Sequence, residues 1–201
     1  MRKKIAVFAS GFGSNLQALI DFNKKCGLGG DISLVFSNNG DAFALKRAEK
    51  HNIEAVYIDP GEYSNREEFE RDILKVMDEY KIDLIVLAGY MFLLTPFLIN
   101  TYKNRILNIH PALLPSFKGV HGIKDAYDHG VRISGVTVHF VDEELDNGPI
   151  IMQAPVYMDR KDSLEQFEEK IHEVEYKIYP RAVKLFCQDR LCIDGRKVEI
   201  L

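Results

Sequence analysis

Short apolar runs alternate with longer amphipathic segments along the first half of the chain. The runs occupy residues 5–9, 32–36, 55–58 and 84–88. Between them, residues 15–25, 42–51 and 66–80 place apolar side chains at helical spacing. This strand–helix alternation predicts a parallel sheet that is covered by helices on both faces and joined by right-handed crossovers. Continuous apolar strands such as residues 84–88 suit that buried setting.

The pattern changes after Gly89. Thr95 and Pro96 predict the start of a short helix ending near Asn104, because proline suits the first helical position. A short strand at residues 106–108 and a helix at residues 123–129 follow. Residues 134–141 and 150–156 predict an antiparallel pair across the turn at residues 146–148.

The last third of the chain carries a helix start and a turn. Ser163 and Gln166 have the spacing of a capping box, which predicts a long helix reaching about Pro180 or beyond. Residues 191–200 predict a hairpin around Asp194 and Gly195. We find no repeat, low-complexity tract or linker. The fold class is therefore α/β: a Rossmann-like open sheet in one domain, residues 1–201, with a parallel N-terminal half and an antiparallel C-terminal portion.

Composition and charge narrow the function classes. The chain has 201 residues, 46% of them hydrophobic, and a formal net charge of −4, which disfavours nucleic-acid binding through a broad basic surface. No apolar run approaches the roughly 18 residues of a membrane span, and the N-terminal run is too short for a signal peptide. The odd set Cys26, Cys187 and Cys192 has no C-x-x-C pair, which indicates reduced cytoplasm rather than disulfides or zinc. The histidines lack metal-binding spacing, so no metal site is expected.

Asn108, His110 and Asp146 are the residues with the clearest chemical potential. Asn108 and His110 lie two apart in a short strand that Pro111 closes, which places both side chains on one side. Asp146 follows on a loop rich in Gly and Pro, where a structural turn is the competing interpretation. The amide can donate a hydrogen bond to an oxyanion, and the imidazole titrates near neutral pH. The carboxylate supplies a charge that fixes the imidazole. This set suits acyl-group transfer.

A glycine-rich segment joins the first strand to the first helix. It comprises Gly11, Phe12, Gly13, Ser14 and Asn15. Glycines allow close backbone approach, and free amides at a helix start attract phosphate. The segment lacks the third glycine and the acidic residue of a dinucleotide fingerprint, so a monophosphate is favoured over NAD. A tight turn capped by Ser14 or Asn15 is the alternative.

Other candidates are weaker. His139 lies in an alternating strand, where an ordinary hydrogen-bonded histidine is slightly favoured. Both His139 and His121, which lies on a loop, are possible residues at the border of a site. Residues 91–94 follow a strand's carboxyl end, where open α/β sheets bind ligands, although core packing explains them equally well.

Taken together, these segments resemble the glycinamide ribonucleotide formyltransferase family of the formyltransferase superfamily. The likeness covers nearly the whole chain, to residues 178–180, and its blocks occur in the family's order. They are Gly-Phe-Gly-Ser-Asn-Leu-Gln at 11–17, Val-Phe-Ser-Asn at 35–38, Leu-Ala-Gly-Tyr-Met at 87–91, Leu-Asn-Ile-His-Pro at 107–111, Val-His-Phe-Val at 138–141 and Leu-Asp-Asn-Gly-Pro at 145–149.

The resemblance implies roles for individual residues. Asn108, His110 and Asp146 match the catalytic trio. The loop of residues 11–15 would bind the substrate phosphate, with Gly13, Ser14 and Asn15 matching most directly. Glu175 would contact the ribose. The folate pocket matches Arg66, Met91, Phe92, Leu93, Leu94, Val141 and Asp142. In this division, residues 1–100 bind the nucleotide, and residues 101–201 bind folate and carry the catalytic groups.

Two residues depart from the family: Phe92 stands where a family member carries Arg, and His172 replaces a polar amide near the ribose.

The implied activity belongs to cytoplasmic purine biosynthesis. A formyl group passes from the co-substrate 10-formyltetrahydrofolate to the amine of glycinamide ribonucleotide. The resemblance implies no metal, nucleic acid or membrane partner, and a monomer or a homodimer. Methionyl-tRNA formyltransferase and formyltetrahydrofolate hydrolase share the Asn-x-His…Asp part, but they carry an added C-terminal domain and an added N-terminal region, respectively. A non-enzymatic nucleotide-binding module is the alternative from a different class.

Overall fold

The N-terminal half forms the parallel sheet that its apolar runs predict. A computed structural model describes residues 2–201. Its elements here are β1 (Lys3–Phe8), α1 (Ser14–Cys26), β2 (Gly30–Ser37), α2 (Phe43–Lys50), β3 (Glu54–Tyr57), a 3₁₀ turn (Pro60–Glu62), α3 (Arg66–Glu79), β4 (Leu84–Leu87) and α4 (Pro96–Thr101). The strands pair in the order β3-β2-β1-β4, and every pairing is parallel. These elements belong to a first compact unit that extends to Leu107.

The second compact unit comprises residues 108–201. Strand β5 (Ile106–His110) enters it and is followed by α5 (Gly122–His129), β6 (Ile133–Phe140), β7 (Ile150–Tyr157), α6 (Leu164–Cys187), β8 (Leu191–Asp194) and β9 (Lys197–Ile200). Strands β6 and β7 are antiparallel, as predicted, with a register shift between Val138 and His139. Strands β8 and β9 form the predicted hairpin. The expected fold class is confirmed, whereas the organisation as one domain stays a prediction.

Each unit has its own apolar core. In the first unit, β4 is buried throughout, and the rings of Phe8 and Phe36 pack with centroids 4.7 Å apart. In the second unit, Phe140, Phe167 and Tyr179 are fully buried. Burial of such large aromatic side chains stabilises the core of each unit.

The ends of the elements follow local chemistry. The hydroxyl of Ser163 accepts from the backbone N–H of Gln166, whose side chain accepts in return from the Ser163 N–H, so the predicted capping box is confirmed. Helix α6 continues through Pro180 to Cys187. Strand β5 was predicted to end at Asn108 but extends to His110, directly before Pro111. The two added residues can still pair, because only Pro111 lacks an N–H.

No helix within residues 2–201 is both long enough and apolar enough to cross a bilayer.

Candidate active site

Strand β5 brings Asn108 and His110 to the same carboxylate. Because the two residues are two apart in a strand, their side chains share a side. The Asn108 Nδ2 lies 3.5 Å from one oxygen of Asp146, and His110 Nδ1 lies 3.4 Å from the other. His110 and Asp146 are both buried. The structure therefore assembles the three side chains that the sequence singles out.

The turn that carries Asp146 is constrained. Asp146 has a left-handed backbone with φ 49°, which aspartate tolerates better than most residues. Its Oδ2 accepts a 2.8 Å hydrogen bond from the backbone N–H of Gly119. A Cβ on Gly148 would lie 1.9 Å from the carbonyl oxygen of Phe140, so only glycine fits there. The backbone thus fixes the carboxylate beside His110.

Both ring nitrogens of His110 lie near oxygen atoms. Its Nδ1 faces the Asp146 carboxylate, and its Nε2 lies 2.7 Å from the carbonyl oxygen of Phe117. Both partners can only accept hydrogen bonds, provided that Asp146 is ionised. The His110 ring is therefore held between two oxygen acceptors in a buried setting.

His139 is part of this cluster. Its Nδ1 lies 2.8 Å from the carbonyl oxygen of Phe140, so Nδ1 carries the hydrogen. Burial lowers the pKa of His139 below its usual value, which favours the neutral ring. Its bare Nε2 then accepts from the Asn108 amide at 3.3 Å. The sequence slightly favours an ordinary strand histidine, but the contact of His139 orients Asn108.

The glycine-rich loop lies in the first unit. Gly13 is the N-cap of α1, with φ 73°. No side chain caps this helix, so the alternative of a turn capped by Ser14 or Asn15 is wrong. The left-handed glycine takes the cap position and offers no side-chain oxygen to the first helical amides. The loop is also anchored at Ser10, whose hydroxyl donates to Asn38 Oδ1 (2.7 Å) and accepts from the Met91 N–H (2.9 Å).

The candidate folate residues fall into two groups. In the first unit, Met91 and Leu93 are 67% and 54% exposed, which argues against core packing for these two. The Arg66 guanidinium lies 5.0 Å from the centre of the Phe92 ring. Leu94 is half-buried. In the second unit, Val141 and Asp142 are half-buried and open the loop to Asp146.

Glu175 is buried on α6 and interacts with a neighbour one turn away. His172 Nδ1 lies 2.9 Å from Glu175 Oε2, and this hydrogen bond raises the pKa of His172. The imidazole also stacks on the ring of Tyr176. The departure at His172 therefore places a titratable imidazole, with a raised pKa, beside the candidate ribose ligand.

His121 lies exposed at the start of α5. Within residues 2–201, its imidazole makes no hydrogen bond or ion pair with Asn108, His110 or Asp146. The same described residues contain no cluster of three or more His, Cys, Asp or Glu that could hold a metal ion.

A model of the family described as formyl transferase matches residues 3–183. The chain belongs to the formyl transferase family. It is 40% identical over 182 residues to the phosphoribosylglycinamide formyltransferase of Bacillus subtilis, covering 90% of this chain and 93% of that protein. It also matches the trifunctional purine biosynthetic protein adenosine-3 of Chironomus tentans, at 42% identity over 186 residues, but spans only 14% of that protein's length.

Solved structures of the family have the same fold. Glycinamide ribonucleotide transformylase 1 from Symbiobacterium toebii superposes with a TM-score of 0.97 at 41% identity, covering 100% of this chain and 94% of that one. A formyltetrahydrofolate deformylase from Pseudomonas syringae is also similar, with a TM-score of 0.91. Its identity is 30%, and this chain covers 66% of it.

Proposed function

We propose that this protein transfers the formyl group of 10-formyltetrahydrofolate to the amine of glycinamide ribonucleotide, giving formylglycinamide ribonucleotide and tetrahydrofolate. The activity expected from the sequence agrees with the names of relatives that match over nine-tenths of the chain. The observation that carries the proposal is the meeting of Asn108, His110 and Asp146 within one buried cluster. A binding module would have no need for these three groups together.

Substrate binding is assigned to groups in both units. In the first unit, Gly11, Phe12, Gly13, Ser14 and Asn15 form the loop for the ribonucleotide phosphate, whose uncapped helix start suits an anion. In the second unit, Glu175 is assigned to the ribose. In the first unit, the exposed apolar side chains of Met91 and Leu93 suit a flat pterin, Phe92 and Leu94 are assigned to the same ligand, and Arg66 suits the anionic folate tail. In the second unit, Val141 and Asp142 are assigned to the folate as well.

The chemistry needs one oxyanion and one proton transfer. The neutral amine attacks the formyl carbon, and the electron pair of the C=O bond moves to oxygen. The Asn108 amide and the His110 imidazolium stabilise this oxyanion; losing one such donor typically costs about 2.7–4 kcal/mol of barrier. Asp146 keeps His110 charged and, directly or through water, takes the proton from the amine nitrogen. The tetrahedral intermediate then collapses: its C=O bond re-forms, its bond to N10 of the folate breaks, and the proton taken from the amine passes to N10, so that tetrahydrofolate leaves.

One contact must change during this reaction. His110 Nε2 lies at hydrogen-bond distance from the carbonyl of Phe117. For Nε2 to reach the formyl oxygen, that oxygen has to replace the Phe117 carbonyl. Phe117 and Gly119 both have positive φ, 51° and 96°, so the segment that supplies the carbonyl has an irregular backbone that is not locked in a strand or helix.

The setting of the enzyme follows from the same assignment. We propose a cytoplasmic enzyme, acting as a monomer or a homodimer, with small molecules rather than nucleic acid or a membrane as partners. The cysteines support a reducing compartment, because Cys26, Cys187 and Cys192 are an odd set without a C-x-x-C pair.

Acceptor-dependent deformylation tests the function. Absorbance of a 10-formyl folate is followed with glycinamide ribonucleotide, with formylatable tRNA or with water alone as acceptor. Turnover that requires the ribonucleotide is expected. Turnover without an acceptor would instead identify a hydrolase, and turnover that requires tRNA would identify the tRNA enzyme.

Two variants test the catalytic cluster. Asp146→Asn and His110→Ala are each expected to lose most turnover, on the order of a hundredfold or more, because each removes part of the charge arrangement around the oxyanion. Binding of the ribonucleotide, measured by calorimetry, should survive in both. Near-normal turnover in both variants would overturn the assignment of these residues.

A further inference from the structure

We propose that Arg47 is a positioning residue for the phosphate-binding loop and that it aims the loop's amides through the carbonyl of Phe12. The inference rests on the proposed function, because it takes the loop at residues 11–15 as the phosphate site. Arg47 lies on α2, about 35 residues further along the chain, and no feature of its own segment indicates this role.

Arg47 makes two directed hydrogen bonds to the loop and to the helix that follows it. Its Nε donates to the carbonyl oxygen of Phe12 at 2.9 Å, and its Nη1 donates to Gln17 Oε1 on α1 at 3.0 Å. A guanidinium is planar and presents its donors in fixed directions. The two bonds therefore hold the loop and the first turn of α1 in one orientation relative to each other.

Two aromatic rings hold the guanidinium in place. Phe12 and Phe43 stack with centroids 5.2 Å apart and planes 11° apart. The Arg47 guanidinium carbon lies 4.5 Å from the Phe12 centroid and 4.9 Å from the Phe43 centroid. Both rings are exposed, at 66% and 43%, so core packing does not account for them. Cation–π contacts with the guanidinium explain their position.

Helix α2 also holds the backbone of the loop on either side of Phe12. The Ala44 N–H donates to the carbonyl of Gly11 at 3.1 Å. A Cβ on Gly13 would lie 2.9 Å from the Ala44 Cβ, so this glycine lets the loop approach α2 closely. Three successive loop residues are thus tied to α2 or packed against it.

These contacts determine where the loop's amides point. In a trans peptide, the C=O and the N–H of the next residue point in opposite directions. Holding the Gly11 and Phe12 carbonyls toward α2 therefore directs the Phe12 and Gly13 N–H groups away from it. A cation on the Phe12 carbonyl also polarises that peptide, which strengthens the Gly13 N–H as a donor. The loop is then preorganised for an anion before any ligand arrives.

Kinetics of Arg47→Lys and Arg47→Met test the proposal, with Lys46→Met as the matched control. Lys46 is an exposed cation on the same helix, so its loss changes the net charge equally without touching the loop. Both Arg47 variants are expected to raise the KM for glycinamide ribonucleotide about tenfold, the effect of one lost charge-assisted interaction. The kcat and the KM for the folate should stay close to wild type, as should all constants of Lys46→Met.

The outcomes separate positioning from simple charge attraction. Wild-type KM in Arg47→Lys would show that charge alone acts and would overturn the proposal, as would an unchanged KM in Arg47→Met. If the Arg47 variants do not fold, Phe12→Leu carries the test, since it keeps the carbonyl but removes the stack. It should raise the same KM about threefold; no change there would also contradict the role.

A binding measurement keeps this test independent of the enzyme assignment. The Gly13 amide signal in NMR spectra is titrated with inorganic phosphate in wild type and in Arg47→Lys. Weaker phosphate binding in the variant supports positioning even if no ribonucleotide-dependent turnover is found, which would refute only the proposed function. Equal binding in the two proteins would overturn the role of Arg47.

Discussion

At the residue scale, the candidate catalytic groups depend on backbone geometry that few side chains tolerate. Asp146 occupies a left-handed conformation, and Gly148 sits against the carbonyl of Phe140. His110 is similarly confined: a Cβ on Gly122 would lie 3.1 Å from its Nε2. The carboxylate and the imidazole therefore meet because the residues around them are small or accept unusual φ values.

Replacing Gly148 tests this constraint. Gly148→Ala places a methyl group 1.9 Å from the Phe140 carbonyl oxygen, so the Asp146 turn has to move. We expect a loss of about 1–3 kcal/mol in the free energy of unfolding and a large fall in kcat, measured by urea denaturation and by the deformylation assay.

Gly130→Ala is the control for that substitution. Gly130 also has a left-handed φ of 74°, but nothing lies within 4 Å of its added Cβ. Gly130→Ala should lower the free energy of unfolding by about 1–2 kcal/mol, from backbone strain alone, and leave kcat unchanged. Full activity in Gly148→Ala would contradict the assignment of the turn as the support of Asp146.

At the scale of elements, local chemistry decides where helices and strands begin and end. Three element ends follow local rules. Helix α6 begins at the capping box of Ser163 and Gln166, β5 ends before Pro111, and α5 ends at the left-handed Gly130. Each predicted helix and strand is found because its apolar spacing and its end signals agree. The register shift between β1 and β2 was not anticipated, because it depends on pairing between strands.

The cap of α6 offers a test at this scale. Ser163→Ala removes the acceptor for the Gln166 N–H and should reduce the free energy of unfolding by about 1 kcal/mol, measured by urea denaturation. Ser163→Asp keeps an acceptor at the helix start and places a negative charge there, so its free energy of unfolding should fall little. Equal losses in the two variants would show that capping is not the source of the effect.

At the scale of the whole molecule, buried titratable groups link stability to pH. Among the described residues, the buried carboxyl and imidazole side chains are Glu70 in the first unit and His110, His139, Asp146 and Glu175 in the second. Glu70 is anchored by the N–H and the hydroxyl of Thr95, and burial raises the pKa of its carboxyl. Such groups make folding sensitive to pH whenever their pKa values differ between the folded and unfolded states.

His139 gives this link a definite sign. Its pKa is lowered in the folded protein, mainly by burial, from an ordinary value of 6.5. Below that pH, the unfolded chain takes up a proton that the folded chain refuses, so the folded state loses stability as the pH falls. The limiting slope is about 1.4 kcal/mol per pH unit. His139→Gln removes this contribution.

Thermal denaturation between pH 7.5 and pH 5.5 measures the effect. The Tm of the wild type should fall more steeply over this range than the Tm of His139→Gln, because only the wild type has this imidazole to protonate on unfolding. Parallel curves for the two proteins would contradict a neutral, buried His139.

The sequence by itself determined the elements of this protein and part of its chemistry. Apolar periodicity, caps and prolines act over a few residues, so they specify each helix and strand and place Asn108 and His110 on one side of β5. The resemblance of whole segments to the formyl transferase family extended the prediction from structure to activity. The resemblance grouped Asp146 with Asn108, and the tertiary structure gave their contact across 38 positions. The tertiary structure alone decided that His139 meets Asn108 across 31 positions and that Arg47 meets Phe12 across 35. Contacts at such separations depend on how the strands and loops pack in space, and no local pattern along the chain encodes that packing.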